Sequence, residues 1–327
     1  MAFDGTDIKT GMISELGVRK ETTFGSRNGA GTTVKMGDES SATFTRRSIQ
    51  RAVGGIRKAR QPRRYYEVGS YYEGEIPDLE LLDVLPLYMA LGKIATTGPV
   101  GGVYTHTVSP TGDDGTSAYL PSWTLEGKYF STTPTAIELL GLTVRTLTLR
   151  IDLAEPLVKA SMTYVARELG STVSSPAEKT DIPYNYAVSD LKIDSDSATY
   201  VAGVSIGDKV SFNLSYDNAF EPVMDWNSGL MRQPFPGSLR DNLTGTLIRR
   251  YMDDDVVGLV GNTEFSMQLE MIRTADEDEI KIKLEHCLCR DLTRTQNRSA
   301  NIENTDSVFN IGDIEAVSKD DDDGTGY

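Results

Sequence analysis

Apolar and polar residues alternate one by one in five stretches of the chain beyond residue 100. In such a stretch successive side chains point to opposite faces of an extended strand, so one face is apolar and the other polar. Strands with one polar face are typical of antiparallel sheets. The pattern predicts a mainly β protein, an antiparallel β-sandwich or barrel. The alternating stretches are 146–153, 158–166, 210–216, 265–271 and 280–284.

One flanking helix is predicted ahead of these strands. The tyrosine-rich stretch 65–76 has the composition of a strand, and Asp78 after it is a good helix N-cap. Apolar residues then recur at spacings of three and four, which is the pattern of a helix with one buried face. Pro86 predicts a kink or an early end, and Gly92 suits the C-terminal cap. The apolar face consists of Leu81, Leu82, Leu85, Tyr88 and Met89.

The composition divides the chain into three parts. Residues 1–62 are rich in Gly, Ser and Thr and poor in apolar residues, which predicts a long, weakly structured N-terminal arm. Residues 63–316 hold the predicted strands and form the domain, with an insertion at 167–206 where Ser, Asp, Pro and Ala are frequent. Residues 317–327 contain a run of Asp and are expected to be a solvated acidic tail.

The two sides of the 167–206 segment look alike in outline. Each has a strand of similar composition, 122–126 on one side and 210–214 on the other, followed by a further strand and a hairpin. An internal duplication is one interpretation of this likeness. A linker, an insertion or a small appended lobe is the other interpretation of the segment.

Charge is distributed unevenly along the chain. There are 33 Lys and Arg against 48 Asp and Glu, which gives a net charge of −15. A chain this acidic repels phosphates and is not expected to bind nucleic acid over its whole surface. The run from 46 to 64 is the exception, because it contains cations and no acidic residue. Its eight cations are Arg46, Arg47, Arg51, Arg57, Lys58, Arg60, Arg63 and Arg64.

Residues suited to catalysis or metal binding are scarce. The only histidines are His106 and His286, and the only cysteines are Cys287 and Cys289, too few for a disulfide scaffold. On a strand His286 points away from both cysteines, so ordinary strand residues explain this cluster better than a zinc site. No phosphate loop, nucleophile elbow or distinctive carboxylate pair is present. We therefore expect no catalytic, metal-binding or cofactor-binding residues, and a structural or binding protein rather than an enzyme.

Targeting and membrane signals are also lacking. The N-terminus has no basic segment followed by an apolar one, as a signal peptide would. The most apolar window, 79–95, is interrupted by charged residues and Pro86 and is too polar to span a bilayer. We expect synthesis in the cytosol and no membrane insertion.

Several segments occur in a recognisable order. VYTHTV at 103–108 is followed by a polar loop and by LPSWTLE at 120–126, and GLTV at 141–144 leads into an alternating strand. VSFNLSYDN at 210–218 comes later, ahead of a hairpin at 264–284. This order resembles that of the tail tube (major tail) proteins of long-tailed bacterial and archaeal viruses. The resemblance covers residues 63–166 and 207–316.

The resemblance implies a fold and an assembly. The fold has two antiparallel sheets and a flanking helix; about six copies form a ring, and rings stack into a tube. One sheet of each copy lines a channel about 40–50 Å across, if each contributes about four strands spaced ~4.8 Å apart. Such a channel passes double-stranded DNA without binding it. A trimeric ring of duplicated domains is a variant.

The resemblance also implies partners and a location. The partners are further copies of the chain and the tape-measure, tail-terminator and tail-tip proteins. The location is the virion tail, assembled in the host cytoplasm.

Two hypotheses concern particular residues. The eight cations at 46–64 are expected to reach the adjacent ring and pair with its acidic surface through many weak contacts. The polar faces of two late strands are expected to face the lumen, because they alternate cleanly with an apolar face. These lumen-facing candidates are Gln268, Glu270, Lys281, Lys283 and Glu285.

A carbohydrate- or ligand-binding β-sandwich is the alternative from another class. It needs a concave aromatic patch, for which Tyr65, Tyr66, Tyr71 and Tyr72 are the candidates. A hydrolase built on surface carboxylates ranks third. Self-assembly into rings distinguishes the tube protein from both.

Overall fold

The computed structural model describes residues 13–29, 33–36, 42–52, 65–111, 119–129, 135–170, 182–196, 198–225, 227–236, 243–250, 263–274, 278–297 and 302–321. These residues contain one α-helix, α1 (Leu85–Leu91), and a 3₁₀ turn at Tyr186–Val188. The strands are β1 (Ile13–Lys20), β2 (Val34–Lys35), β3 (Thr43–Ala52), β4 (Tyr65–Glu80), β5 (Gly92–Val100), β6 (Val103–Pro110), β7 (Trp123–Tyr129), β8 (Thr135–Asp152), β9 (Glu155–Ala166), β10 (Glu168–Gly170), β11 (Ser189–Asp194), β12 (Val204–Ser205), β13 (Lys209–Asp217), β14 (Leu243–Arg249), β15 (Phe265–Thr274), β16 (Asp278–Asn297), β17 (Ile302–Asn310) and β18 (Asp313–Asp320).

The strands form three antiparallel sheets that share two long strands. Sheet I has the order β3-β4-β9-β8-β13-β14-β17-β16. Sheet II has the order β2-β1-β7-β8-β10, and sheet III the order β12-β11-β15-β16-β18-β6-β5. Strand β8 passes from sheet II into sheet I, and β16 passes from sheet III into sheet I. One core cluster contains side chains from all three sheets and from α1, so the predicted mainly β antiparallel sandwich with a flanking helix is confirmed.

The strand pairings repeat within the chain. Residues 13–170 form module 1 and residues 189–320 form module 2. In module 1, β1 pairs with β2 and β7, β8 with β7, β10 and β9, and β4 with β9 and β3. In module 2, β11, β12, β13, β14, β15, β16, β17 and β18 make the same pairings in the same chain order. The predicted internal duplication is therefore present.

The register of the two modules agrees residue by residue. Both long strands bend at a residue with positive φ, Gly141 at 67° in β8 and His286 at 52° in β16. Register shifts follow at Val144/Thr146 and at Cys289/Asp291, three to five residues beyond the bend in each case. The spacing between equivalent residues stays at 145 from β8 to β10, as for Gly141 and His286. Such matching irregularities indicate one ancestral module used twice.

The predicted equivalence of 122–126 with 210–214 is wrong. Trp123 on β7 pairs with Leu142, and its counterpart is Phe265 on β15, which pairs with Cys287. Strand β13, which contains 210–214, is the counterpart of β3. Few residues are identical between the modules, because most positions need only the correct polarity and size.

The helix is shorter than predicted. Strand β4 runs on to Glu80, and Asp78 lies at a bulge with φ of 48° rather than at a helix N-cap. Pro86 stands in the first turn of α1, where its missing N–H costs no hydrogen bond, so the helix begins here instead of ending. The Asp83 carboxylate accepts a hydrogen bond from the Leu85 N–H at 2.8 Å. Gly92 is the left-handed C-cap, as predicted.

The described part of the predicted arm belongs to the sheets. Strand β1 pairs with β7 and buries Leu16 and Val18, and β3 pairs with β4. Glu21 follows β1 and is buried; it accepts hydrogen bonds from the Gly141 N–H at 2.8 Å and the Thr124 hydroxyl at 2.9 Å. Burial raises the pKa of Glu21, and these hydrogen bonds offset only part of the rise. A weakly structured segment is therefore the wrong expectation for these residues, because sparse apolar side chains suffice when a neighbouring strand supplies the rest of the core.

The predicted insertion and acidic tail also contain sheet strands. The segment 167–206 holds β10, the junction between modules, and strands β11 and β12 of module 2. At the other end β18 continues to Asp320, and its residues from 317 pair with both β16 and β6.

The duplication provides a matched test of packing at two equivalent glycines. A Cβ added at Gly74 on β4 would lie 2.1 Å from the Thr43 carbonyl oxygen and 2.5 Å from the ring of Tyr164. At the equivalent Gly245 on β14 the nearest atom would be Cδ1 of Ile311, at 3.3 Å. We expect Gly74→Ala to lower the free energy of unfolding by about 3 kcal/mol and Gly245→Ala by less than about 1 kcal/mol. Urea unfolding of the two variants measures this, and equal losses would contradict the packing described.

Candidate functional site

Sheet I presents a polar outer face that crosses both modules without interruption. One row of paired residues runs over five strands, from Ser161 through Thr148, Ser215 and Thr244 to Asn310. Small hydroxyl side chains are frequent on this face, and Arg47, Arg145, Arg150 and Lys159 are long cations on it. Sequence reasoning recognised the alternation but not the shared sheet, because the pairing of β8 with β13 joins strands far apart in the chain. Further members of the face are Thr43, Thr45, Thr146, Thr163, Asn213, Thr246 and Thr293.

The two ends of sheet I are exposed edges. Among the described strands, β3 pairs only with β4, and the 288–297 part of β16 pairs only with β17. Exposed edges of this length are ready templates for pairing with another strand. Within the part of the chain that the structure describes, both ends of sheet I are therefore unpaired.

The first cations of the basic run lie on the β3–β4 hairpin. Arg46 forms an ion pair with Glu67, and the Arg47 Nε lies 2.6 Å from a carboxylate oxygen of Glu73. Burial by itself raises the pKa of Glu73, but hydrogen bonds from Arg47 and Tyr71 outweigh it and hold the pKa below its ordinary value. Both arginines thus have acidic partners on their own protomer. Arg51 lies on β3 with its backbone paired to Tyr66, whereas Arg57, Lys58, Arg60, Arg63 and Arg64 lie outside the described residues.

The predicted tyrosine patch does not form a single surface. Tyr65 and Tyr66 are exposed, with 64% and 54% of their surface accessible, and as neighbours on β4 they point to opposite faces. Tyr71 donates a hydrogen bond to Glu73 at 2.8 Å, and Tyr72 packs edge-on against Phe44. The four rings therefore do not build the concave aromatic site that the ligand-binding alternative needs.

The five lumen candidates lie together on sheet III. Gln268 and Glu270 on β15 are buried, with 6% and 9% of their surface exposed, because long side chains of the flanking strands cover them. Lys192 reaches Glu270 at 2.6 Å. On β16, Lys281 pairs with Glu279 at 2.8 Å and Lys283 with Glu315 at 3.3 Å, and Glu285 accepts a hydrogen bond from the Tyr200 N–H at 3.3 Å. This face is a network of mutually paired charges.

A groove that sequence reasoning missed lies beside the hairpin. It has a volume of about 870 Å³ and brings together side chains from four separate parts of the chain, which explains why no local pattern indicated it. The rings of Tyr119 and Phe235 are 4.2 Å apart on its wall. Asp225 pairs with Arg232 at 2.9 Å, and hydrogen bonds from Arg232 and Ser228 lower the pKa of Asp225 to about 2.

The histidines and cysteines make contacts within the fold. His106 is fully buried and lies 2.8 Å from the Thr96 hydroxyl and 3.0 Å from Asp320, which ties β18 to β5 and β6. His286 lies 3.1 Å from Glu264, and burial raises the pKa of the Cys287 thiol to about 12. Among the residues that the structure describes, no three His, Cys, Asp or Glu side chains are placed to hold a metal ion. That same part of the chain has no helix with the length and apolar character of a membrane span.

The comparisons with known proteins complete this description. Curated proteins gave no match. The model of one protein family, described as phage tail tube protein, matches residues 13–308, which covers module 1 and module 2 as far as Val308 on β17. The match agrees with the mainly β antiparallel fold described above. The chain therefore belongs to the phage tail tube protein family and is a structural protein of the virion tail.

Proposed function

We propose that copies of this chain join through the ends of sheet I into closed rings, and that the rings stack into the tube that delivers double-stranded DNA into the host cell. The observation that carries the proposal is sheet I itself, which contributes four strands from each module and is open at both edges. A sheet with complementary open ends closes when several copies are joined in a ring. Assembly takes place in the host cytoplasm, with the tape-measure, tail-tip and tail-terminator proteins as partners.

The proposed ring contains three chains, which supply six modules. Six modules with four strands each give about 24 strands at ~4.8 Å spacing, and tilted strands then enclose a channel about 40–50 Å across. Duplex DNA, about 20 Å wide, passes through such a channel. This proposal replaces the expected six copies by six modules, because each chain carries two.

The polar face of sheet I is the proposed lining of the channel. Its short hydroxyl side chains leave the channel open, and acidic residues such as Glu75, Asp217 and Asp306 exceed the cations on it. An acidic lining repels phosphates and keeps DNA from binding on its way through. The charge network of sheet III, which contains the five earlier lumen candidates, would then face away from the channel.

The proposed contact between rings is made by the part of the basic run that connects β3 to β4. Arg46 and Arg47 are paired within the protomer, so the cations available to the next ring begin after β3. The acidic remainder of the chain supplies the partner surface. Many exposed ion pairs of this kind are individually weak and sensitive to salt.

Electron microscopy tests the proposed function directly. We expect concentrated purified protein to form stacked rings or hollow tubes in negative stain, alone or after addition of the tail-tip and tape-measure partners. Protein that stays monomeric with those partners present would contradict the proposal. It would favour the ligand-binding alternative, for which the groove with Tyr119 and Phe235 is the available site.

Charge reversal tests the contact between rings. We expect the combined variant Arg57→Glu, Lys58→Glu, Arg60→Glu and Arg63→Glu to form rings that stack only at low salt, because four attractions become repulsions. Arg57→Lys, Arg60→Lys and Arg63→Lys keep the charge and serve as the matched control. Sedimentation of assembled protein across a salt series measures the effect, and equal salt resistance of all three proteins would contradict the assignment.

Cysteine labelling tests which face lines the channel. In a Cys289→Ser background, Thr246→Cys places a thiol on sheet I and Lys283→Cys places one on sheet III. We expect assembled tubes to protect the thiol at 246 from a large polymer-linked maleimide but not from a small one, because only the small reagent enters the lumen. The thiol at 283 is expected to react with both. The reverse pattern would restore the original lumen assignment.

A further inference from the structure

The junction between the two modules shows how one module meets the next. Strand β13 of module 2 pairs in antiparallel fashion with β8 of module 1, at the edge of β8 that faces away from β9. Ser215 lies opposite Thr148 and Asp217 opposite Thr146. Sheet I is continuous through the chain because of this one ladder.

The same two strand positions are exposed at the outer ends of the chain. The counterpart of β8 in module 2 is β16, and the counterpart of β13 in module 1 is β3. Among the described strands, neither has a partner on the side that the junction uses. Module 2 therefore leaves unpaired on β16 the edge that β8 uses at the junction. Module 1 leaves unpaired on β3 the edge that β13 uses there.

We propose that β3 of one protomer pairs in antiparallel fashion with the 291–297 edge of β16 of the next protomer, in the register of the β13–β8 ladder. The repeat spacings place Thr45 opposite Thr293 and Arg47 opposite Asp291 of the neighbouring copy. This inference rests on the proposed function, because it names the contact through which the protomers of a ring join. The proposed contact between chains is equivalent to the contact within a chain. Because each chain has two modules, every ring contains an even number of modules.

The residues at the proposed contact are compatible with it. Thr45 and Thr293 are exposed and have small β-branched side chains, which pack well across strands. Arg47 and Asp291 carry opposite charges and each is more than half exposed, while each also has an ion-pair partner on its own protomer, Glu73 and Arg290. In this register, position 294 lies opposite Phe44 as Leu149 lies opposite Leu214 within the chain, and it is an arginine instead of a leucine. The contact between protomers is thus more polar than the junction, as suits subunits that are soluble before they assemble.

A second ladder also joins the two modules, between β18 and β6, but the proposed contact between protomers does not use it. This ladder begins after Glu315, the residue equivalent to Gly170. The described residues of module 1 end at Gly170, so the equivalent of this ladder is outside them. The proposal therefore depends on the β3–β16 ladder alone.

Disulfide trapping tests both the pairing and its register. In a Cys289→Ser background, Thr45→Cys with Thr293→Cys is expected to give covalent dimers and closed covalent oligomers when assembled protein is oxidised. Ser215→Cys with Thr148→Cys is the equivalent pair within one chain and calibrates the yield that this geometry allows. Thr45→Cys with Asp291→Cys shifts the register by two residues and is expected to give less than a tenth of the cross-linked product.

The outcomes separate this inference from the proposed function. Non-reducing electrophoresis measures the cross-links, and electron microscopy of the same samples shows whether rings are present. Rings with efficient cross-linking only at 45–293 support the inference. Rings without that cross-link, when the 148–215 control has formed, would overturn it and leave the tube function intact. A lack of rings in every sample, with partners supplied, would overturn the proposed function as well.

Discussion

The architecture depends on one constraint, which is that the backbone N–H and C=O groups at each strand edge need hydrogen-bond partners. Sheet I runs through both modules, and uncovered ends of such a sheet present unpaired N–H and C=O groups that favour pairing with another strand. Among the described strands, β3 and the outer part of β16 leave those ends unpaired, and the buried apolar side chains lie on the inner side of the sheet. A protomer built in this way has an incomplete sheet within its described residues, which favours pairing with further copies.

Because the module is duplicated, one chain has both of the strand edges that the proposed contact between protomers needs. The junction between β8 and β13 buries apolar residues such as Leu149 and Leu214, because the two modules never separate. At the outer ends the equivalent positions are more polar. In the proposed contact between protomers, the same backbone ladder is made with more polar residues than at the junction.

Charged residues have separate structural and surface roles here. Some are buried within one protomer: Glu126 and Glu138 lie beside Arg27 at 2.9 Å and 3.2 Å, under the loop after β1. Such pairs are costly to break, since removing one partner leaves a buried charge. Others, such as Arg47 and Glu73, are exposed and contribute little to folding. The location of each charge in the sheets therefore indicates its role better than the net charge of the chain does.

The sequence by itself determined the fold class, the strands of alternating polarity, Gly92 as the helix cap and the resemblance to tube proteins, because these depend on local polarity and on short motifs. It could not assign β1 and β3 to the sheets or recognise 167–206 as the junction of two modules, because strand pairing is set by contacts between residues far apart in the chain. For the same reason the polar alternation at 265–285 did not indicate which sheet it belongs to. The open edges, the acidic partners of Arg46 and Arg47 and the equivalence of the modules were decided by the tertiary structure, since a strand has an edge or a partner only once its neighbours are in place.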